Sequence, residues 1–140
     1  MSSFRMRELK VTSNIRSCES CTECCTLLQI PTLQKPARQR CSNICKEGCS
    51  IYSSRPTECR TFQCFWSEGY LSEAARPDKS GIMAYHIDSQ FGRTLLIVEL
   101  KPKAFKKKRK HKEKMIRFAE ERGTPIIMSD FKGNATAMLP

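Results

Sequence analysis

Hydrophobic positions along this chain follow a regular period only in its second half. Residues 82–87 and 94–100 are two apolar, β-branched runs around D-S-Q-F-G-R, a pattern that predicts a β-hairpin with Gly92 in its turn. The second run, T-L-L-I-V-E-L, is apolar on both faces, as expected of a central strand. Lys103 to Arg122 predict a helix ended by Gly123. Its apolar face, Phe105, Met115, Ile116, Phe118 and Ala119, lies chiefly in the second half. Pro125 to Met128 predict a third strand, giving a β-β-α-β unit in which the last strand runs parallel to the second. The tail from Gly133 to Pro140 carries no pattern and is expected to be mobile.

The first half has no comparable period. Residues 1–17 are polar, with Leu9, Val11 and Ile15 as anchors for an arm or short edge strand. Leu27, Leu28, Ile30 and Leu33 form an apolar stretch, broken by Pro31 and Pro36, that would pack beneath a site. The S-I-Y at 50–52 predicts a short extended piece, and Pro56 can start a short helix through Cys59. Residues 67–81 predict a helical turn and then a Pro/Asp/Gly linker. The expected fold class is α+β, a single domain over residues 1–140. Within it, residues 18–66 form a cysteine-rich metal-binding region of short helices and turns, and residues 81–130 a small sheet with one basic helix.

Composition narrows this picture. A chain of 140 residues with 39% hydrophobic content has a small core, which metal crosslinks can supplement because their binding free energy adds to folding. There is no apolar run near the ~18 residues that cross a bilayer, and no apolar core of a secretory signal, so a cytoplasmic protein without a membrane partner is expected. The formal charge of +11 is local: Lys101 to Arg117 hold ten of 25 basic residues and one of 14 acidic ones. That run could contact phosphates, so nucleic acid is a conceivable partner. It lacks interleaved aromatics and a docking motif, and a solvated helix face is favoured. His111, inside the run, is expected to face solvent, and His86 to be a packed or surface imidazole.

All nine cysteines lie between residues 18 and 64. They read C-x-x-C-x-x-C-C at Cys18, Cys21, Cys24 and Cys25, then Cys41, Cys45, Cys49, Cys59 and Cys64. Thiolates are strong soft ligands, and short spacings let a turn aim successive sulfurs at one site. An odd count, two adjacent cysteines and no export signal argue against a disulfide framework. The C-x-x-C-x-x-C spacing with a remote fourth cysteine is how bacterial ferredoxins hold a [4Fe–4S] cluster, whereas structural zinc more often uses two separated pairs. Cys41, Cys45 and Cys49 would share one face of a helix, although Gly48 suggests that the backbone turns there instead. Arg55 and Arg60 flank the Cys59 helix, where their guanidinium groups can bond carbonyls or sulfurs and offset a site's negative charge. Phe62, Phe65 and Trp66 are expected to shield the metal.

The pattern C-x-x-C-x-x-C-C followed by C-S-I-Y-x-x-R-P-x-x-C-R-x-F-x-C resembles a cysteine-cluster family described as zinc- or iron-chelating. Matching positions are Cys18, Cys21, Cys24, Cys25, Cys41, Cys49, Ser50, Ile51, Tyr52, Arg55, Pro56, Cys59, Arg60, Phe62 and Cys64. The family pattern uses eight cysteines, so Cys45 stands outside the expected ligand set. A similar cluster occurs in flagellin lysine methylase, where it implies iron–sulfur. The resemblance therefore implies a cofactor class and no reaction. Weaker similarity continues in P-D-x-S-G before the hairpin and G-T-P-I-I after the helix.

Three function classes follow. The first is a redox or accessory protein with an iron–sulfur cluster, [4Fe–4S] being favoured over zinc, and an unidentified protein or redox partner. The second is a zinc-stabilised module whose basic helix meets nucleic acid or an acidic partner. The third is metal delivery or storage. With no nucleophile–base motif, Gly-rich phosphate loop or paired carboxylates, no catalytic residue is assigned and independent activity is not expected. An oxidoreductase or accessory subunit is the form of activity that remains compatible.

Overall fold

The computed structural model describes residues 21–45 and 48–140. Cys18 and the anchors Leu9, Val11 and Ile15 lie outside the described residues. The fold is α+β, and its framework is a four-stranded sheet in the order β3-β4-β5-β6. Strands β3 (Ile82–Ser89) and β4 (Gly92–Glu99) form the expected antiparallel hairpin, with Ile82 opposite Glu99 and Ser89 opposite Gly92. Strand β5 (Ile126–Ser129) lies parallel to β4, with Leu95 opposite Ile126. The chain between β4 and β5 is helical, as a parallel crossover requires.

Two expectations for this half are corrected. The helix over residues 103–122 is broken into α4 (Ala104–Lys107) and α5 (Arg109–Glu121), with Lys108 non-helical between them. Like charges repel at helical neighbour spacings, and the lysine run presents no apolar side chain after Phe105 to hold it against the sheet. In α5, Met115 and Ala119 are fully buried, so that helix is fixed by packing. The tail is also ordered: β6 (Ala135–Met138) pairs antiparallel with β5. Its turn is built by Asp130, whose carboxylate accepts from the amides of Lys132 and Asn134, both at 2.9 Å, and from the Asn134 side chain at 3.1 Å.

The cysteine-rich half is a succession of short pieces. Helix α1 (Glu23–Leu27) is followed by a 3₁₀ turn at Pro31–Leu33. Next come a two-stranded ribbon of β1 (Ile44–Cys45) and β2 (Gly48–Cys49) and a second 3₁₀ turn at Tyr52–Ser54, then α2 (Thr57–Thr61) behind Pro56. The ribbon replaces the helix considered for Cys41, Cys45 and Cys49. Tyr52 belongs to a helical turn and not to an extended piece. The expected linker is instead α3 (Pro77–Ser80), locked by Ser80, whose buried hydroxyl lies 3.1 Å from the carbonyls of both Ala75 and Ile82. Gly81 ends α3 at φ +74°, where a side chain would be strained, and a Cβ there would meet the Ala104 Cβ at 3.1 Å and require α4 to shift slightly.

The two halves share one apolar core. Phe65 and Trp66 join Ile82, Met83, Leu95, Ile97, Val98, Met115 and Ile126 in a single buried cluster, which Leu27 reaches from α1. The Phe65 amide bonds the Ala84 carbonyl at 2.6 Å, so the end of the cysteine-rich segment is fastened to the free edge of β3. Near the same end of the hairpin, Glu99 is 7% exposed and its two carboxylate oxygens accept from the amides of Phe105 and Phe131, each at 2.8 Å. That carboxylate ties the start of α4 to the β5–β6 turn. Glu99→Ala leaves two amides without their acceptor and is expected to lower unfolding free energy by about 2–4 kcal/mol. A urea unfolding midpoint measures it, and a midpoint equal to that of the wild type would show that the clasp contributes nothing.

Candidate metal centre

A cavity of about 370 Å³ opens between the cysteine-rich segment and the sheet. Its wall contains the thiols of Cys21, Cys24, Cys25, Cys41, Cys49, Cys59 and Cys64. These seven are all the cysteines of the expected ligand set that lie within the described residues, and none of them is in a disulfide. Cys45 is not in one either, but it is exposed on β1 and does not line the cavity. In the ribbon, successive side chains point to opposite faces, which separates Cys45 from Ile44 and from Cys49 across the pairing.

Local hydrogen bonds fix this assembly. The Cys41 amide donates to the Cys25 carbonyl at 3.1 Å, joining α1 to the loop before the ribbon. Cys41 Sγ is approached by the Asn43 amide at 3.5 Å and by Asn43 Nδ2 at 3.7 Å, and Cys64 Sγ by the Ser67 amide at 3.5 Å. The backbone amides of Glu23 and Asp78 also act on the Cys21 sulfur. Such N–H···S contacts favour the thiolate form that a metal requires. Helix α2 is held against the 31–33 turn by Glu58, whose Oε2 accepts from the Thr32 hydroxyl at 2.7 Å and the Thr32 amide at 3.2 Å.

The thiols do not share one environment. Burial pushes Cys21 up to about 11, with the backbone bonds opposing it. The Cys24 thiol hydrogen-bonds Cys25 and draws it down to about 7, against burial and with help from the charges of Lys35 and Arg55. Cys59 is raised by burial first and then by Cys25, Cys41 and Cys49. Clustered thiols resist joint ionisation unless a cation stands among them.

Three cationic residues line the cavity: Lys35, Arg55 and Arg60. Arg55 Nε donates to the Tyr52 carbonyl at 2.8 Å, and its guanidinium lies 3.8 Å from the Tyr52 ring centroid. Arg60 Nη2 donates to Thr57 Oγ1 at 3.2 Å. Lys35 was not legible as a site residue. It is only 6% exposed, and its ammonium donates to the carbonyls of Thr26, Leu28 and Pro36. Its one signal is a solitary lysine beside the apolar stretch that ends at Leu33.

The aromatic shield is partly as expected. Phe62 and Trp66 line the cavity, whereas Phe65 points away into the core, with its ring centroid 4.4 Å from that of Phe118. His86 borders a separate recess with Glu68, Tyr70 and Arg93 and has no place among the thiols. Burial and the Arg93 charge lower its pKa. His111 lies on α5 away from the thiols and is intermediate in exposure.

The thiols surround the cavity without converging on one point. Among the described residues, no three His, Cys, Asp or Glu side chains are gathered closely enough to hold an ion between them. Cysteine sulfurs are the donors that thiolate-ligated metal centres use, and a polynuclear cluster, which takes each thiolate on a separate metal, would need them less closely gathered than a single ion would. No helix among the described residues is long and apolar enough to cross a membrane. No family model, curated protein or solved structure matches the chain.

Cys45→Ser is expected to leave metal content unchanged and stability within about 0.5 kcal/mol of wild type, since the side chain is exposed and does not line the cavity of the other thiols. Metal counts and thermal melting measure this; loss of a metal equivalent would place Cys45 among the ligands.

Proposed function

We propose that this chain is a cysteine-ligated metal protein that carries an iron–sulfur cluster with a redox or accessory role. The supporting observation is the gathering of seven cysteines, none in a disulfide, around one cavity of about 370 Å³. Seven reduced thiols are far more than core packing needs, and their charges oppose one another unless a metal stands among them. The resemblance to the cysteine-cluster family agrees with this cofactor class.

The residues have distinct parts in such a site. Cysteine sulfurs hold the group, and the amides at Cys21, Cys41 and Cys64 stabilise the bound thiolates. Lys35, Arg55 and Arg60 offset the net negative charge that four thiolates confer. Phe62, Trp66 and Met83 exclude water from one side, which adjusts the potential of a bound centre. When bound, a cluster supplies one-electron transfer. Reduced thiols suit a reducing compartment, which supports residence in the cytoplasm.

The exposed Lys106–Lys110 run keeps the zinc-stabilised binding module as the competing reading. Anaerobic purification distinguishes the two by absorption spectrum and by iron, zinc and acid-labile sulfide counted per chain. The expected result is a coloured protein with broad thiolate-to-iron absorption and matching iron and sulfide. A colourless protein with stoichiometric zinc would make the metal structural and move the function to the basic helices. Substoichiometric, exchangeable metal would favour delivery or storage.

A further inference from the structure

We propose that the recess beside His86 binds a small zwitterion of the aromatic α-amino-acid class, with Glu68 taking the ammonium, Arg93 the carboxylate, and Tyr70 and Phe62 the flat apolar part. This is a second site, and it does not depend on the metal reading.

The recess has a volume of about 450 Å³, within the range of roughly 300–1,000 Å³ usual for small-ligand sites. Its wall carries Phe62, Glu68, Tyr70, His86 and Arg93, and the fold holds each of them in place. The common support is Phe65, which is fully buried and bonded through its amide to Ala84 of β3. The Tyr70 ring stacks on Phe65 with centroids 4.9 Å apart, and the His86 ring meets it edge-on at 6.1 Å. Phe62 packs edge-on against Tyr85, with centroids 5.0 Å apart. Glu68 is fixed in the turn after Cys64, where its amide donates to the Cys64 carbonyl at 3.1 Å. In the hairpin, His86 stands opposite Leu95 and Arg93 opposite Asp88, so His86 and Arg93 lie on one face of the paired strands.

The charges select the ligand. Among the described residues, the Glu68 carboxylate and the Arg93 guanidinium make no hydrogen bond or ion pair, either with each other or with a third side chain, Asp88 included. The recess therefore has an acceptor and a donor fork of opposite charge that do not close on each other. A ligand with a single charge would satisfy one and be repelled by the other, whereas a zwitterion satisfies both. A guanidinium takes a carboxylate through two parallel N–H···O bonds, and the His86 imidazole can donate a third. An ammonium gains from Glu68 and from the face of an aromatic ring. Tyr70 is 48% exposed, a large side chain left half in water that a flat apolar group would cover. Phe62 and Gln63 line this recess and the thiol cavity alike, so a bound ligand lies one wall away from the thiols.

Calorimetric titration of the anaerobically purified full chain tests this with three ligands: L-phenylalanine, and phenethylamine and phenylpropionate, which each lack one of its two charges. L-Phenylalanine should bind saturably at one site per chain, and each analogue about tenfold more weakly or less tightly still. Arg93→Gln should weaken L-phenylalanine by about tenfold and leave phenethylamine unchanged, because only the carboxylate contact is lost. Glu68→Gln should weaken it similarly and leave phenylpropionate unchanged. No saturable binding of L-phenylalanine at millimolar concentration would overturn the proposal. So would analogues that bind as tightly as L-phenylalanine, or folded variants that hold it as the wild type does. The three ligands compared on wild type decide the matter even where a variant fails to fold, and the outcome leaves the metal reading untouched.

Discussion

The structure depends on a shortage of regular elements where the cysteines are. Among the described residues between 21 and 66 the longest helices have five residues and the strands two, all below the length at which such elements persist alone. This half is held from outside. One hold is the sheet, through the Phe65–Ala84 bond and the burial of Phe65 and Trp66. The second is the proposed metal, which would link loops that have few apolar contacts of their own. A metal-bound folded state and a loosened metal-free state would then be coupled, as in other small thiolate-ligated domains.

The same arrangement reconciles opposite electrostatic demands. Thiols packed together and buried are driven toward the neutral form, as Cys21 and Cys59 are. Hydrogen bonds and nearby cations reverse this at Cys25. The Cys24 thiol contributes most to that reversal, and Lys35 and Arg55 add to it. Three backbone carbonyls, those of Thr26, Leu28 and Pro36, hold the Lys35 side chain inside the cavity wall. The ten basic residues between Lys101 and Arg117 have no such role. Those from Lys106 to Lys110 are exposed and lie on other elements than the thiols.

The fold was legible in the sequence wherever burial imposed a period. The β3–β4 hairpin, parallel β5 and the buried face of α5 were all marked by apolar spacing. Strand β6 was not, because all four of its residues are exposed and hydrophobicity carries no information there; its signal is the D-F-K-G-N turn before it. The break at Lys108 was hidden because lysine has a good helix propensity even where nothing packs against it. Within the site, the cysteines announced themselves by number and spacing, but not their grouping. That grouping depends on the ribbon at Ile44–Cys45 and Gly48–Cys49 and on the Thr32–Glu58 tether, contacts across the chain that no local pattern records. Lys35 was equally hidden, because its partners are carbonyls presented by a turn.

X-ray absorption at the iron and zinc edges of the anaerobically purified full chain tests the central claim most directly. Thiolates holding a cluster predict a first shell made only of sulfur at about 2.3 Å, with metal–metal scattering beyond it. A first shell dominated by nitrogen or oxygen would contradict that claim, since the ion would then be held by groups other than the cavity thiols.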